Sequence, residues 1–351
     1  MNIIFDGAVG PYERVVWASD PACGLRAIIA VHSTELGPAI GGVRFTSYPD
    51  DASAMVDALR LAEGMTIKAA CAGLDIGGGK SVILGDPHEI RTTALLRAFG
   101  RLIDRFGGTY WAAEDVGTTP VDLDIIGRVT PYAIGRSSTA DGFDGDPSPF
   151  TARGVLAAMR AAWDFAGEPG PGLSGARVAI QGVGKVGAAL ADAVADVGAE
   201  VIVADIDPRR AQLVAEMVGG RAVLPENLLQ TPCDFLAPCA LGGVLTSEVA
   251  TSLHCRFVVG SANNQLADGT VAERLAAAGV VYVPDFVANV GGLISAVESR
   301  NAWDLARVLG AVEQIGNRVR EILDASDGDG ATPLRHALAM ARRRLEREVV
   351  A

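Results

Sequence analysis

The sequence predicts an α/β protein of two domains, the second built on a parallel sheet with helices on both faces. Three observations lead there. At 351 residues the chain exceeds the size at which one hydrophobic core stays comfortable, so two cores are expected. From residue 177 onward, short apolar strands alternate with helical stretches, the rhythm of a parallel sheet. Within that rhythm, Gly182-Val183-Gly184-Lys185-Val186-Gly187 follows a strand and opens a helix, the context in which such a glycine pattern carries information.

The elements follow in order. Residues 26–32 are β-branched and apolar, a strand by composition, and the turn residues Gly37-Pro38 and Gly41-Gly42 come after it. Residues 51–72 place apolar side chains at helical spacing, with Asp50 or Asp51 as N-cap. The run Gly77-Gly78-Gly79 reads as a sharp turn open to a ligand, since glycine has no Cβ to restrict it, and 81–84 form a short strand. Residues 89–106 are amphipathic and helical; 109–113 form a buried strand ending at Glu114-Asp115. The Ser/Gly/Asp/Pro-rich stretch 136–149 marks the hinge, which sets the domains at 1–135 and 136–324. A helix over 151–165 and a second Pro/Gly stretch over 167–175 lead into the alternating half. There, strands are expected at 177–181, 200–204, 234–237, 256–260 and 280–283, with helices at 186–197, 208–218 and 271–278. The tail, 303–345, is helical with an interruption at 327–330.

Composition narrows the function. Hydrophobic content of 49% and charged content of 21% suit a globular protein with a sizeable core. The net charge of −12 is spread along the chain, which disfavours a binder of nucleic acid or of an anionic membrane. An anionic substrate then needs a local positive partner. Residues 1–6 carry no basic region followed by an apolar stretch, and no segment reaches the roughly 18 uninterrupted apolar residues of a membrane span. The five cysteines are scattered without a CxxC pair, which reads as reduced thiols in a cytoplasmic protein. The four histidines are isolated and no metal site is expected.

Lysine is scarce: Lys68, Lys80 and Lys185 are the only three, and every other basic residue is arginine. Where the two cations are interchangeable this chain uses arginine, so a lysine marks a place needing a compact ammonium with a tunable pKa. Lys185 lies inside the glycine pattern. Its first two glycines permit a tight turn and close approach of a pyrophosphate to the helix N-terminus, and the third lets helix pack on strand. Asp205 ends the next strand, where an acid bonds the ribose hydroxyls. Together these residues make a Rossmann fingerprint. Asp205 and Asp207 would repel a 2′-phosphate, so NAD is expected in preference to NADP, although Arg209 and Arg210 stand where a phosphate could be met. Lys185 reads as a local positive charge near the phosphates that arginine could replace. Lys68 ends a helical stretch and Lys80 follows three glycines. Two ammonium groups brought together lower the pKa of at least one. Asp115 supplies a carboxylate for a second proton transfer. Solvated lysines and a helix-capping Asp115 are the alternative that spacing alone leaves open.

The motifs taken together carry a resemblance. Gly37-Pro-Ala-Ile-Gly-Gly-Val-Arg-Phe45, Gly64-Met-Thr-Ile-Lys68, Gly77-Gly-Gly-Lys80 and Glu114-Asp-Val-Gly-Thr118 resemble the glutamate/leucine/phenylalanine/valine family of amino-acid dehydrogenases. So do Asp146-Pro-Ser-Pro149 with Thr151, Ala237-Pro-Cys-Ala-Leu-Gly-Gly243, Gly260-Ser-Ala-Asn-Asn264 and Pro284-Asp-Phe-Val-Ala-Asn289. The motifs are most like those of leucine and valine dehydrogenases, with phenylalanine dehydrogenase next. The resemblance implies reversible NAD-dependent oxidative deamination of an L-amino acid to a 2-oxo acid and ammonia. It also implies an N-terminal domain for substrate binding and oligomerisation, final helices (about 325–351) returning to that domain, and a homo-oligomer. By position, Lys68 would hold the substrate α-carboxylate, Lys80 would act on the carbonyl or imine carbon, and Asp115 would exchange protons with the amino nitrogen. Gly41 and Gly42 would let the backbone approach the substrate. Arg44, Ser148 and Thr151 would line the nicotinamide side, and Cys239, Ala240, Asn263 and Asn289 would meet the nicotinamide and its ribose.

The resemblance also suggests the side-chain pocket: Ile40, Met65, Ala113, Leu293 and Ala296, all apolar. Glutamate dehydrogenases typically carry a lysine where this chain has Ile40. A substrate carboxylate against Ile40 would lose its solvation unpaired, a cost of about several kcal/mol, which argues against glutamate. Ile40 and Ala113 suit a branched aliphatic side chain, whereas Ala296 leaves room for a larger one. A methylene discriminates by only about 1–3 kcal/mol, so overlap among leucine, valine, isoleucine and phenylalanine is expected. Val290 stands where relatives often have alanine. Two other readings remain at this stage: a shikimate- or malate-type hydroxy-acid dehydrogenase, which also sets a lysine and an aspartate near a Rossmann domain, and a non-catalytic NAD-binding protein.

Overall fold

A computed structural model of the chain describes residues 1–137, 145–168, 172–300 and 303–348. The expected hinge at 136–149 and the Pro/Gly stretch at 167–175 lie partly outside the described residues. The chain divides into two compact units, one of Met1–Asp146, Ala296–Trp303 and Met340–Ala351, the other of Pro147–Ser295 and Asp304–Ala339.

The first unit is built on a mixed six-stranded sheet. Its strands are β1 (Asn2–Val9), β2 (Tyr12–Asp20), β3 (Leu25–Ser33), β4 (Ala39–Thr46), β5 (Gly77–Leu84) and β6 (Tyr110–Glu114), in the order β1-β2-β3-β5-β4-β6. The first three run as antiparallel neighbours, and β4 pairs parallel with both β5 and β6. Strands β1 and β2 were not expected. In β1 most residues are exposed, so the strand lacks the apolar run that would announce it.

One face of this sheet packs on the helix Asp51–Ala72. Asp50 caps it by accepting the Ser53 N–H at 2.7 Å, and Gly73 ends it at φ 75°, the left-handed conformation that favours glycine. Ala54, Ala58 and Ala62 recur at helical spacing and pack with Val15, Ile28, Ala30 and Val82. The other face carries the larger core, in which Val43, Phe45, Ile83, Tyr110 and Ala112 meet Leu95, Phe99 and Leu102 of the helix Thr93–Asp104. The single helix expected over 89–106 is divided. Arg91 adopts extended ψ at the end of the short helix Pro87–Ile90, and the Thr92 hydroxyl accepts the Leu95 N–H to start a new one.

Two turn expectations are corrected. Gly41 and Gly42 lie inside β4, and Gly77, Gly78 and Gly79 lie inside β5, a strand whose eight residues are all buried. The glycines are there for close packing. A Cβ on Gly41 would sit 1.9 Å from the Gly79 carbonyl oxygen, one on Gly77 2.0 Å from that of Ser33, and one on Gly78 2.1 Å from the Thr66 nitrogen.

The second unit contains β7 (Arg177–Gln181), β8 (Glu200–Ala204), β9 (Arg221–Ala222), β10 (Phe235–Pro238), β11 (Phe257–Val258) and β12 (Val281–Tyr282). All pair parallel, in the order β12-β11-β10-β7-β8-β9. This is the doubly wound dinucleotide-binding order, with its switch point between β7 and β10. The helices Lys185–Asp196, Pro208–Val218 and Val271–Ala277 connect strands as expected. The helix Ser148–Phe165 starts earlier than residue 151, with a proline in its first turn where no backbone donor is lost. After the helix Leu305–Asp329 and Gly330 at φ 73°, the last helix, Pro333–Glu348, carries the chain back to the first unit. Arg344 there donates to the carbonyls of Ala69 and Ala70 and pairs with Asp75 at 2.5 Å. Among the described residues no helix is long and apolar enough to cross a membrane, and no group of three or more His, Cys, Asp or Glu could hold a metal.

Candidate active site

Alternation along a strand puts Ile40, Gly42 and Arg44 of β4 on one face, with Gly78 and Lys80 of β5 and Trp111, Ala113 and Asp115 of and beyond β6. Thr66 packing on Gly78 makes it the face covered by the Asp51–Ala72 helix. Lys80, 6% exposed, pairs with Asp115 Oδ2 at 2.7 Å. Burial pushes the Lys80 pKa down; the Asp115 charge opposes this without reversing it, so the ammonium sits below the ordinary lysine value. Burial pushes the Asp115 carboxyl up, and the cations Lys80 and Arg44 more than reverse that, leaving it below the ordinary carboxylate range.

Sequence-local features set this pair. The Thr118 hydroxyl accepts the Asp115 N–H at 3.0 Å and donates to the Val43 carbonyl at 2.8 Å, tying the loop after β6 to β4. Gly117, at φ 82°, lets the loop pass Phe45, whose oxygen would lie 1.8 Å from a Cβ there. A Cβ on Gly42 would fall 2.6 Å from Asp115 Cβ and 3.1 Å from Lys80 Nζ. Gly42 therefore leaves the space in which the pair meets.

Of the other residues expected on the substrate side, Lys68 and Met65 are half-buried three positions apart on the helix, a spacing that puts them on one side of it. Ile40 is fully buried and paired with Gly78 and Trp111 in the ladders, and Ala113 is half-buried opposite Gly42. Ala296 falls in the first unit, whereas Leu293 falls in the second. Arg44, expected on the nicotinamide side, donates from Nε to Asp115 Oδ2 at 3.0 Å and from Nη1 to Asp57 Oδ2 at 2.9 Å.

In the second unit the expected dinucleotide residues gather at the C-terminal ends of the parallel strands. Gly182 has φ 88°, and its Cβ would lie 2.7 Å from that of Ala240. Gly184 caps the helix Lys185–Asp196 with open space at its Cβ position, followed by Val186 and by Gly187, which packs on the Gly182 carbonyl. Asp205, 8% exposed, accepts the N–H groups of Val183 and Asp207 at 2.9 Å each. Asn289 donates to Asn263 Oδ1 at 2.8 Å and to the Ser261 carbonyl at 3.0 Å. Burial raises the Cys239 thiol pKa, which suits a packing role better than that of a nucleophile. Ser148 is buried at the start of its helix, where Thr151 Oγ1 donates to the Pro147 carbonyl.

A family model described as Glu/Leu/Phe/Val dehydrogenase, dimerisation domain, matches residues 13–132, and one described as Glutamate/Leucine/Phenylalanine/Valine dehydrogenase matches residues 146–347. The chain belongs to the glutamate/leucine/phenylalanine/valine dehydrogenase family. It is 42% identical over 336 residues to a leucine dehydrogenase of Bacillus subtilis, covering 96% of this chain and 92% of the relative. It is 40% identical over 354 residues to a valine dehydrogenase of Streptomyces coelicolor, covering 98% and 95%. The crystal structure of an L-tryptophan dehydrogenase from Nostoc punctiforme matches with a TM-score of 0.85 at 34% identity, covering 97% of this chain and 98% of that one. The protein is thus an oxidoreductase of the amino-acid dehydrogenase family, which sets aside the hydroxy-acid alternative.

For this amino-acid dehydrogenase, sequence reasoning named both members of the Lys80–Asp115 pair, with Gly42 and Arg44 beside it, and missed the groups that hold them in place. Thr118 lay in a quoted motif without a task. Asp57 and Tyr48 were not singled out, because an aspartate on an alanine-rich helix carries no signal until Arg44 is seen against it.

Proposed function

We propose that the protein catalyses the reversible, NAD-dependent oxidative deamination of branched-chain L-amino acids, leucine, valine and isoleucine, to the 2-oxo acid and ammonia. The observation that carries the reading is the buried Lys80–Asp115 pair at 2.7 Å, which closes over Gly42 where a side chain would collide with Asp115. Lys68 holds the α-carboxylate as a compact, strongly charged anchor. Lys80, its pKa lowered, exchanges protons with the water that attacks the imine carbon and with the carbonyl oxygen in reverse. Asp115, ionised at neutral pH, exchanges protons with the substrate nitrogen.

The dinucleotide residues fit NAD. The N-terminus of the helix Lys185–Asp196 has no side-chain cap, and Gly184 leaves open space beside it, as an approaching pyrophosphate requires. When bound, NAD supplies the hydride acceptor. Arg210, one of the two arginines that could meet a 2′-phosphate, lies 3.6 Å from Asp205 and 3.9 Å from Asp207 and so already faces two carboxylates. That supports NAD over NADP. The match to a dimerisation domain supports a homo-oligomer, and five free cysteines suit a cytoplasmic enzyme.

The chain carries Ile40 in place of a lysine, and Met65, Ala113, Leu293 and Ala296 are likewise apolar, a set that supports a branched aliphatic substrate and offers a glutamate carboxylate no partner. The likeness to leucine and valine dehydrogenases points the same way. A second reading, an aromatic substrate such as phenylalanine, is favoured by the small Ala296 and by the likeness to the tryptophan enzyme. The test of the chemistry is NADH oxidation with 4-methyl-2-oxopentanoate. It should require ammonium and should lose about 100-fold or more of kcat in Lys80→Ala, with NAD binding retained. Turnover without ammonium, or near-normal turnover of Lys80→Ala, would overturn the mechanism.

A further inference from the structure

Two cations converge on one oxygen: Lys80 Nζ at 2.7 Å and Arg44 Nε at 3.0 Å both meet Asp115 Oδ2. Like charges this close repel, so Arg44 needs an anion of its own behind it. Asp57, on the Asp51–Ala72 helix, supplies one. Its Oδ2 accepts from Arg44 Nη1 at 2.9 Å and from the Tyr48 hydroxyl at 2.8 Å, and its Oδ1 accepts from Arg60 at 2.9 Å. A guanidinium presents donors in a fixed planar fork and bridges two carboxylates in one geometry; an ammonium has no such fork. This gives arginine a reason to stand at position 44.

We infer that Asp57, with the Tyr48 hydroxyl, is a positioning residue for the reaction: it clamps Arg44 against Asp115 and so keeps Asp115 Oδ2 in register with Lys80. The inference rests on the roles proposed for Lys80 and Asp115. The charged or titratable groups around that pair are Arg44 on β4, Asp57 on the covering helix with Arg60 beyond, Tyr48 after β4, and Glu114 and Tyr110 on β6, with Lys68 farther along the same helix. Burial pushes the Tyr110 pKa up and keeps it neutral. Asp57 favours the charged form of Lys80, whereas Arg44 disfavours it.

The test compares Asp57→Ala, Asp57→Asn and Tyr48→Phe. Loss of the clamp in Asp57→Ala should lower kcat about 10- to 100-fold while leaving NAD affinity within about threefold. Asp57→Asn keeps an acceptor for Arg44 and Tyr48 but loses the charge. It should recover most of that kcat and move the ascending limb of the pH profile for deamination to lower pH. Tyr48→Phe should fall between Asp57→Ala and the unaltered protein. A merely structural role would lower Tm in all three and leave the limb where it was. If Asp57→Ala does not fold, the other two decide. Because the chain has three lysines, trace labelling with acetic anhydride and mass spectrometry reads the Lys80 titration without turnover. A lower Lys80 midpoint in Asp57→Asn supports the clamp even where the unaltered protein fails to turn over amino acids, a failure that would count against the proposed function instead. An unmoved midpoint with unchanged kcat in Asp57→Ala overturns the clamp.

Discussion

Lys80 illustrates how one buried ammonium can be tuned by its neighbours. Burial and Arg44 pull its pKa down, Asp115 and Asp57 hold it up, and the balance lies below the ordinary value of 10.5. If Lys80 is the proposed base, deamination needs it neutral to take a proton, and kcat/KM should rise with pH through an inflexion below that value. Asp115 contributes no inflexion in this range, because its pKa lies below the ordinary carboxylate range. A pH profile of leucine deamination checks this, and Lys80→Arg should abolish the limb, since guanidinium stays charged. A limb that persists unchanged in Lys80→Arg would assign it to another group. The scarcity of lysine already singled out this residue and the motifs named Asp115, but their contact, and Asp57 behind Arg44, came only with the fold. Lys80 and Asp115 are 35 residues apart in the chain, and spacing alone could not bring them within hydrogen-bonding distance.

At the scale of elements, the glycines of β5 and β4 act chiefly through packing. Gly78 lets the Asp51–Ala72 helix approach until Thr66 touches the strand, and this fixes the level of Lys68 and Met65 against the sheet. A methyl group at position 78 would sit 2.1 Å from the Thr66 nitrogen and 2.2 Å from its hydroxyl. The backbone there cannot yield as a flexible side chain would. Gly78→Ala should therefore destabilise the protein by about 1–3 kcal/mol or more, read as a lower urea midpoint; an unchanged midpoint would show that the helix can shift without cost. These glycines were legible as important but misread as turns, because glycine signals missing side-chain volume and free φ with the same letter. Elements with a strong period were read to the residue: the Asp51–Ala72 helix and β7 are examples. Strand β1 escaped because an exposed edge strand need not alternate, and β9 because two residues hold no pattern.

For the whole molecule, the second unit was the more legible. A parallel doubly wound sheet repeats strand and helix at regular spacing, and its glycine fingerprint sits at the switch point where ligands bind. The first unit mixes antiparallel and parallel pairing, so its order β1-β2-β3-β5-β4-β6 follows from no local rule. Yet that order places β4 between β5 and β6 and so brings Arg44, Lys80 and Asp115 together. In the proposed function, substrate choice rests on apolar side chains whose differences are worth about 1–3 kcal/mol each, too little for composition to decide. The most direct measurement is kcat/KM for NAD reduction with leucine, valine, isoleucine, phenylalanine, tryptophan and glutamate as substrates. The account predicts that the branched-chain amino acids lead, with the aromatic ones lower and glutamate negligible. A clear preference for an aromatic substrate would contradict the branched-chain assignment, and glutamate in the lead would contradict the pocket built around Ile40.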